Sequence, residues 1–173
     1  MMQQPDIVVL DADAAMAAVN ELADVLADCV AGGASVSFML PYSAADAAGF
    51  FGKVAASVAR GETVLLAARH DGRIVGTVQI GLDTPPNQPH RADIRKLLVH
   101  RSARGMGLGA ALMGEAERVA REKGRTLLVL DTASGAAERL YARGGWQRVG
   151  VIPDYAMWPD GGFCDTTIFW KKL

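Results

Sequence analysis

A basic, glycine-rich segment in the middle of the chain has the composition of a phosphate-binding turn. Residues 97–112 read Leu-Leu-Val-His-Arg-Ser-Ala-Arg-Gly-Met-Gly-Leu-Gly-Ala-Ala-Leu, with three glycines between a strand-like run and a helix-like run. Glycine lets the backbone approach an anion closely, and the first N–H groups of a helix have no partner within it. The helix dipole and Arg101 or Arg104 add positive charge. The sequence therefore predicts a phosphate or pyrophosphate site here, rather than an ordinary turn with surface arginines.

The spacing of the glycines indicates which class of phosphate ligand such a turn can bind. A Walker motif is absent, because no Lys-Ser or Lys-Thr follows the glycines. Gly105-x-Gly107-x-x-Ala110 fits the loose dinucleotide pattern, and Asp131 follows at about the expected 20 residues. Against this alternative, five residues separate Val99 from Gly105, and the preceding units read as a β-hairpin. A nicotinamide-dependent oxidoreductase is therefore a less favoured alternative.

A second spacing, Arg104-x-x-Gly107-x-Gly109, resembles the (Gln/Arg)-x-x-Gly-x-(Gly/Ala) motif of the GNAT superfamily of N-acetyltransferases. Residues 134–146 read Ser-x-x-Ala-x-x-Leu-Tyr-x-x-x-Gly-Trp, which is similar to a later helix of that family. Ser134 stands where the family usually has Asn, and Trp146 where it has Phe. The resemblance extends over nearly the whole chain to a member that detoxifies an amino-acid-like β-lactam.

The resemblance implies that the chain binds acetyl-CoA as a cosubstrate and transfers the acetyl group to an amine. A non-catalytic module that binds acyl-CoA and regulates a partner is the alternative from another functional class. The family's cofactor-binding positions correspond here to Leu97, Leu98, Val99, Arg104, Gly105, Met106, Gly107, Leu108, Gly109, Ala110, Ser134, Ala137 and Tyr141.

Direct transfer from a thioester to an amine needs a base for the ammonium proton, a donor to the carbonyl oxygen and an acid for the thiolate. The N–H groups of Leu97 and Val99 are predicted to share one strand edge. The family places pantetheine there, so the N–H of Leu97 is the candidate donor. Tyr141 holds the family's usual acid position. Helical spacing by itself would instead predict that Tyr141 is an aromatic residue of the core, because it lies on one stripe with Ala137.

Two carboxylates are candidates for the base. Asp131 ends an apolar strand, so we expect it to be partly buried, which would raise its pKa. Its alternative role is to cap the following helix. Asp93 lies near the start of the predicted pantetheine strand, and its alternative role is a surface acid, solvated or paired with Arg91. His90 and His100 are isolated in predicted loops and are expected at the surface.

The acceptor is predicted to be a small amine that carries a carboxylate. Three segments are expected to wall its site, namely residues 34–42, 83–91 and 152–162, with Met39, Tyr42, Tyr155 and Trp158 as lining candidates. They carry few acids, which argues against polycationic acceptors, and the short chain leaves little room for a peptide groove. Arg91 or Arg95 could pair with the substrate carboxylate; solvated surface arginines are the alternative.

Hydrophobic periodicity and turn residues predict the elements that must hold these groups. The predicted strands are 7–10, 63–68, 74–80, 92–99, 126–131, 146–151 and 163–170. The predicted helices run from Asp11 or Asp13 to about Gly32, from Ser43 or Asp46 to about Arg60, from the glycine turn to Gly124, and from Ser134 to about Gly144. The expected fold is an α/β (α+β mixed sheet) GNAT-like domain over residues 1–173, with about seven strands and about four flanking helices.

Composition and net charge limit the kinds of partner and the cellular location that we expect for this protein. The 173 residues carry a net charge of −1, which argues against nucleic acid or an anionic membrane as the main partner. Cys29 and Cys164 lie outside any metal-binding spacing, so no metal is predicted and both are expected to be buried free thiols. No apolar run approaches the ~20 residues of a membrane helix. Residues 1–6 lack signal-peptide features, so a cytoplasmic protein is expected. A homodimer is left open.

Overall fold

The computed structural model describes residues 5–173 and contains one seven-stranded sheet in the order β1-β2-β3-β4-β5-β7-β6. Residues 1–4, on which part of the signal-peptide prediction rests, lie outside this range. The strands are β1 (Asp6–Leu10), β2 (Thr63–His70), β3 (Arg73–Gly81), β4 (Arg91–Val99), β5 (Leu127–Thr132), β6 (Gln147–Met157) and β7 (Phe163–Lys172). The helices are α1 (Ala12–Ala17), α2 (Val19–Ala31), α3 (Ala44–Ala59), α4 (Leu108–Glu122) and α5 (Gly135–Arg143), with a 3₁₀ turn at Arg101–Ala103.

The predicted fold class is confirmed. β4 and β5 run parallel, whereas the other neighbouring strands are antiparallel, so the sheet is mixed. On one face, Leu112 of α4 packs with Leu66. On the other, Leu22 of α2 and Phe51 of α3 pack with Leu65. Adjacent strand residues point to opposite faces, which explains why the central strand β2 reads as a continuous apolar run.

The predicted first helix is divided into two, so the described residues form five α-helices where about four were expected. The side chain of Asp11 caps α1 by accepting a hydrogen bond from the N–H of Ala14 at 2.8 Å. At the buried Ala18 the backbone leaves the helical conformation, with ψ near 1°. The break is at neither a glycine nor a proline. The packing of α1 and α2 against α3 therefore decides it, rather than local propensity.

The edge strand β6 is longer than predicted. The predicted strand ended at residue 151, with residues 152–162 as a separate wall segment, but the strand continues through Pro153 to Met157. The register with β7 shifts between Ile152 and Ala156, and Asp154 in this bulge has a positive φ of 52°. An edge strand tolerates a proline because one side of its backbone has no neighbour to bond.

A bulge in β4 changes which side chains face each layer. Thr77 of β3 pairs with Leu98 and Gln79 pairs with Arg95, so β4 has one residue more than β3 between these pairs. Lys96 adopts a positive φ of 53° within this bulge. Ile94 before the bulge packs on the side of α4, whereas Leu98 after it packs with α2 and α3. The bulge thus turns one stretch of β4 relative to the other.

Two further sequence expectations concern cysteines and membrane helices. Cys29 and Cys164 are both free and buried, as predicted. Within residues 5–173, no helix has the length and apolar character needed to cross a bilayer.

Candidate active site

The two parallel strands separate and leave a gap. β4 and β5 pair only from Arg91 opposite Leu127 to Asp93 opposite Val129, although both strands continue beyond. At the far end of β4, the N–H of His100 donates to the carbonyl oxygen of Val75 across β3 at 2.8 Å. Alternation along the strand then points the N–H groups of Leu97 and Val99 into the gap, on the edge predicted for them.

The glycine-rich turn lies directly after this gap and presents a series of free backbone donors. Gly105 and Gly107 have φ values of 79° and 77°, and a Cβ atom on either would meet nothing within 4 Å. The first helical bond of α4 runs from the N–H of Ala111 to the oxygen of Gly107. None of the N–H groups from Gly105 to Ala110 donates to another described residue. This open cradle of N–H groups has the chemistry that phosphate oxygens require.

The start of α4 approaches α5 closely. A Cβ atom at Gly109 would lie 3.0 Å from Cδ1 of Leu140, so the two helices pack closely at this glycine. Leu108 is buried beneath the turn, whereas Met106 and Ala110 are exposed. The side chain of Ser134 caps α5 by accepting from the N–H of Ala137 at 3.2 Å. The structure therefore brings the two predicted cofactor-binding segments side by side.

The two arginines of the turn differ in their partners. Arg101 forms a salt bridge with Asp28, with an N–O distance of 2.9 Å. Arg104 pairs with no carboxylate among residues 5–173, and its Nε donates to the oxygen of Val99 at 3.2 Å. Arg104 is thus the cation of this pair whose charge is free for a phosphate.

Tyr141 is a core aromatic whose hydroxyl has no fixed partner. The residue is 5% exposed, and its ring packs against Trp146 and Phe169 at centroid distances of 5.8 and 5.6 Å. Burial, together with the negative charge of Asp131, raises the pKa of Tyr141 to about 12. The hydroxyl is not fully enclosed and makes no hydrogen bond to a described residue. It therefore stays protonated at neutral pH and is free to donate.

Asp131 is exposed, so the expectation of partial burial is wrong. The side chain points away from the α4 layer, on the face of the sheet opposite to Leu130, where the gap leaves it uncovered. Its Oδ2 accepts a hydrogen bond from the hydroxyl of Thr166 at 2.8 Å. The alternative role as a helix cap is also wrong, because Ser134 caps α5.

Asp93 lies between two guanidinium groups. Arg91 and Arg95 donate to its two carboxylate oxygens, Arg95 at 3.2 Å, and Arg95 also pairs with Asp83 at 3.1 Å. The paired surface acid considered as its alternative is therefore what the structure shows. These pairings also occupy Arg91 and Arg95, which the sequence analysis had considered as partners for a substrate carboxylate. Both oxygens of Asp93 are thus paired with cations, whereas Asp131 accepts its hydrogen bond from a neutral hydroxyl.

Lys96 lies beside the candidate site, against the wall segment 34–42, at a position that the sequence analysis did not single out. The half-buried Nζ donates to the hydroxyl of Ser37 at 2.9 Å and lies 5.8 Å from the ring centroid of Phe38. Burial lowers the pKa of Lys96, and the charge of Asp131 partly opposes this. The sequence carries no signal for this position, because a lysine in a strand-like run usually faces solvent and the bulge is not encoded by glycine or proline.

Two of the three predicted walls meet, and one does not. The N–H of Leu40 donates to the oxygen of Pro159 at 2.9 Å, and the hydroxyl of Ser35 donates to Met157 at 3.3 Å. Residues 34–42 and 152–162 therefore form one continuous wall. Residues 83–91 were expected to join them, but the N–H of Thr126 binds His90 at the start of β5. This loop thus lies at the paired end of β4 and β5, away from the gap.

Two pockets flank the end of β5. One of about 300 Å³ lies on the Asp131 side of the sheet, and its lining includes Asp93, Arg95 and Tyr155. The other, of about 450 Å³, lies at the start of α5 and includes Trp158 and residues of β6 and β7. Met39 is exposed, and Tyr42 is half-buried with its ring stacked on Phe38. Within residues 5–173 there is no cluster of three or more His, Cys, Asp or Glu side chains suited to a metal ion.

The part of the sequence that contains the gap, the glycine-rich turn and the following helix matches a known protein family. Residues 34–146 match the model of the acetyltransferase (GNAT) family. The chain belongs to the GNAT acetyltransferase family. The matched region contains β4, the turn, α4, β5 and α5, and it confirms both the predicted family and the predicted enzyme class. Acetyl-CoA is the cosubstrate that membership of this family implies, as predicted.

Solved GNAT structures share the whole fold at low sequence identity. A ribosomal-protein-alanine N-acetyltransferase from Brucella melitensis is 21% identical, with a TM-score of 0.79 and coverage of 97% of this chain and 99% of that one. The yncA protein of Salmonella typhimurium, solved with acetyl-CoA, is 18% identical, with a TM-score of 0.79 and coverage of 99% and 95%. A phosphinothricin acetyltransferase from Sinorhizobium meliloti, also in complex with acetyl-CoA, is 18% identical, with a TM-score of 0.80 and coverage of 99% and 89%. The first and third of these proteins are named for different acceptors, so the shared fold leaves the acceptor open.

Proposed function

We propose that this GNAT protein transfers the acetyl group of acetyl-CoA to the primary amine of a small molecule, amino-acid-like or toxin- or antibiotic-like, by direct attack in a ternary complex. The observation that carries the proposal is the gap between β4 and β5. It opens onto the N–H groups of the glycine turn at one end, and onto the pocket beside Asp131 on one face of the sheet. Donor and acceptor can thus meet in the same gap.

Backbone groups hold the donor in this proposal. The N–H groups from Gly105 to Ala110 bind the pyrophosphate, with Arg104 supplying a positive charge. The edge of β4 at Leu97 and Val99 binds pantetheine through its free N–H groups. The N–H of Leu97 donates to the thioester carbonyl oxygen, where negative charge develops during attack.

Side chains at the end of β5 and on α5 move the protons. The amine nitrogen attacks the carbonyl carbon, so that a C–N bond forms and the C–S bond breaks. Asp131 takes the proton that the ammonium must lose, directly or through water, since one of its oxygens accepts no bond from a described residue. Tyr141 gives its proton to the departing thiolate, because its hydroxyl remains protonated at neutral pH. The attacking nitrogen loses its second surplus proton as the amide forms, and this proton restores the hydroxyl of Tyr141, directly or through water.

The acceptor is small in this proposal because its site is walled by hydrogen-bonded segments. The contacts of Ser35 with Met157 and of Leu40 with Pro159 close the side where a peptide would have to lie. Residues 32–39, 102–109, 130–132 and 153–161 resemble the tabtoxin resistance acetyltransferase, which supports an amino-acid-like acceptor. The expected cytoplasmic location belongs to the same proposal.

The test is a screen of amines for acetyl-CoA-dependent thiol release. The panel contains amino acids, their β-lactam analogues, polyamines, aminoglycosides and histone-like peptides under one set of conditions. We expect the highest kcat/KM with an amino acid or an analogue. A polyamine, aminoglycoside or peptide that leads by a wide margin would contradict the acceptor class. Binding of acetyl-CoA without turnover of any amine would instead favour the regulatory module.

A further inference from the structure

Lys96 is a partly buried cation without an anionic partner. Most of the basic side chains among residues 5–173 are exposed, and the other half-buried ones have strong acceptors. Arg91 binds Asp93, Lys171 binds Glu117 at 2.8 Å, and Arg125 donates to the backbone oxygens of Leu82 and Arg91. Lys96 donates only to the neutral hydroxyl of Ser37. A charge removed from water without an opposite charge is costly for the fold, so an external anion would relieve that cost.

The ammonium of Lys96 lies against one wall of the proposed acceptor site. Lys96 occupies the β4 bulge directly before Leu97, and its side chain reaches the wall segment at Ser37 and Phe38. The charge of Asp131 acts on it from the end of β5. Lys96 therefore lies between the wall of the acceptor site and the edge of β4 that faces the gap.

Other polar atoms on this side of the sheet also lack partners. The hydroxyl of Tyr42 and Nε2 of Gln79 are buried and make no hydrogen bond within residues 5–173. The ring of Tyr42 stacks on Phe38 at 4.6 Å, next to the lysine. Gln79 lies directly opposite Arg95 on the neighbouring strand and so faces the same side. Unsatisfied buried donors are rare in folded proteins, and these two lie on the same face of the sheet as the side chain of Lys96.

The other cations near the pocket are already neutralised. Arg95 binds both Asp83 and Asp93, and Arg91 binds Asp93 and the side-chain oxygen of Gln88. A carboxylate entering this pocket would have to displace an internal carboxylate to reach either arginine. The ammonium of Lys96 forms no salt bridge within residues 5–173 and donates only to a hydroxyl, although the charge of Asp131 also acts on it.

We propose that Lys96 binds the carboxylate of the acceptor and so selects amino-acid-like amines over amines that carry no acid group. This rests on the proposed function and deepens it by naming the group that the site recognises. Lys96 acts on substrate choice, whereas Asp131 and Tyr141 act on the protons of the reaction.

The test compares matched acceptors on matched variants. The acceptors are the amino acid with the highest kcat/KM in the screen and the amine formed by its decarboxylation. Lys96→Met should lower kcat/KM for the amino acid by about 10- to 100-fold, mainly through KM, and change that of the decarboxylated amine less than about 3-fold. Lys96→Arg should restore part of the preference. Lys53→Met, at an exposed lysine of α3, is the control and should change neither.

Each outcome separates the inference from the function on which it rests. Equal losses for both acceptors, or no loss for either, would overturn the role of Lys96 and leave acetyl transfer intact. A wild-type preference for the decarboxylated amine would do the same. No turnover of any amine by the wild type would refute the proposed function, and this inference with it. Circular dichroism and the acetyl-CoA-induced shift in Tm verify folding; we expect Lys96→Met to fold, because it removes an unpaired buried charge.

Discussion

At the scale of single residues, Tyr141 combines two roles that the sequence presents as alternatives. Its ring belongs to the core with Trp146 and Phe169, and its hydroxyl remains without a partner among the described residues. We predict that Tyr141→Phe lowers kcat by about 10²–10⁴-fold, the usual loss for a general acid, while the Kd for acetyl-CoA changes little. Steady-state kinetics and calorimetric titration measure both quantities. Unchanged turnover, with chemistry shown to be rate-limiting, would return Tyr141 to a purely structural role.

The raised pKa of Tyr141 predicts a specific dependence of stability on pH. Its pKa is about 12 in the folded protein, against 10.0 for the ordinary side chain. The folded state therefore holds its proton over a range where the unfolded chain loses it, so this contribution is complete below pH 10 and falls as the pH rises toward 12. Urea unfolding from pH 8 upward should show the wild type losing its advantage over Tyr141→Phe in that range. A difference that does not change with pH would contradict the assignment.

We predict that mutation distinguishes the roles of the two candidate bases. Asp131→Asn should lower kcat by about 10²-fold or more, because its carboxylate accepts the substrate proton. Asp93→Asn should mainly lower the free energy of unfolding, since it leaves Arg91 and Arg95 without that carboxylate. Urea unfolding and kcat measured on both variants compare the two effects. A larger loss of kcat in Asp93→Asn than in Asp131→Asn would reverse the assignment.

At the scale of elements, the glycine turn and α4 form a unit whose two ends can be compared. Gly107 starts the helix and Gly124 follows its end, both with positive φ and open space where a Cβ would lie. We predict that Gly107→Glu abolishes acetyl-CoA binding, because the new carboxylate takes the place and has the charge of a phosphate. Gly124→Glu should lower the free energy of unfolding by a similar amount, about 1–2 kcal/mol, because it also places a side chain at positive φ, but it should still bind acetyl-CoA. Equal affinities for CoA in the two variants, measured by calorimetry, would exclude the turn as the pyrophosphate site.

The bulge in β4 shows how an element positions a site without a local signal. One extra residue opposite β3 places the side chain of Lys96 toward Ser37 and leaves Leu97 on the edge that faces the gap. β4 also leaves β5 after only three paired residues. Both features arise from how the strands fit into the sheet, so neither could be read from the residues of β4 alone.

At the scale of the whole molecule, cofactor binding should appear in global stability. We predict that acetyl-CoA raises Tm and that NAD does not. A ligand that binds only the folded state stabilises it by roughly 2.7 kcal/mol at a hundred times its Kd, and each kcal/mol shifts Tm by about 2–4 °C at this chain length. Scanning calorimetry with each ligand makes the comparison. A shift with NAD and none with acetyl-CoA would contradict the ligand assignment.

The sequence by itself determined the features that depend on near neighbours. The glycines, which adopt positive φ, allowed the turn to be predicted, and Ser43 and Ser134 allowed the starts of two helices to be predicted. These features are local, because a cap or a turn forms within a few residues. Alternating and continuous apolar runs located all seven strands for the same reason. Among the strands, the largest error is at the far end of β6, where Pro153 lies in a bulge of the edge strand.

The tertiary structure alone decided which charges are buried, paired or free. Lys96 meets Ser37 across 59 positions of sequence, and Asp131 meets Thr166 across 35, so neither contact is visible in a local pattern. Asp93 forms salt bridges with two arginines, and Asp131 is exposed because β4 separates from β5. Burial and ion pairing depend on which distant segments cover a side chain. The sequence therefore predicted the open glycine turn before α4, whereas the burial and pairing of Lys96, Asp93 and Asp131 required the fold.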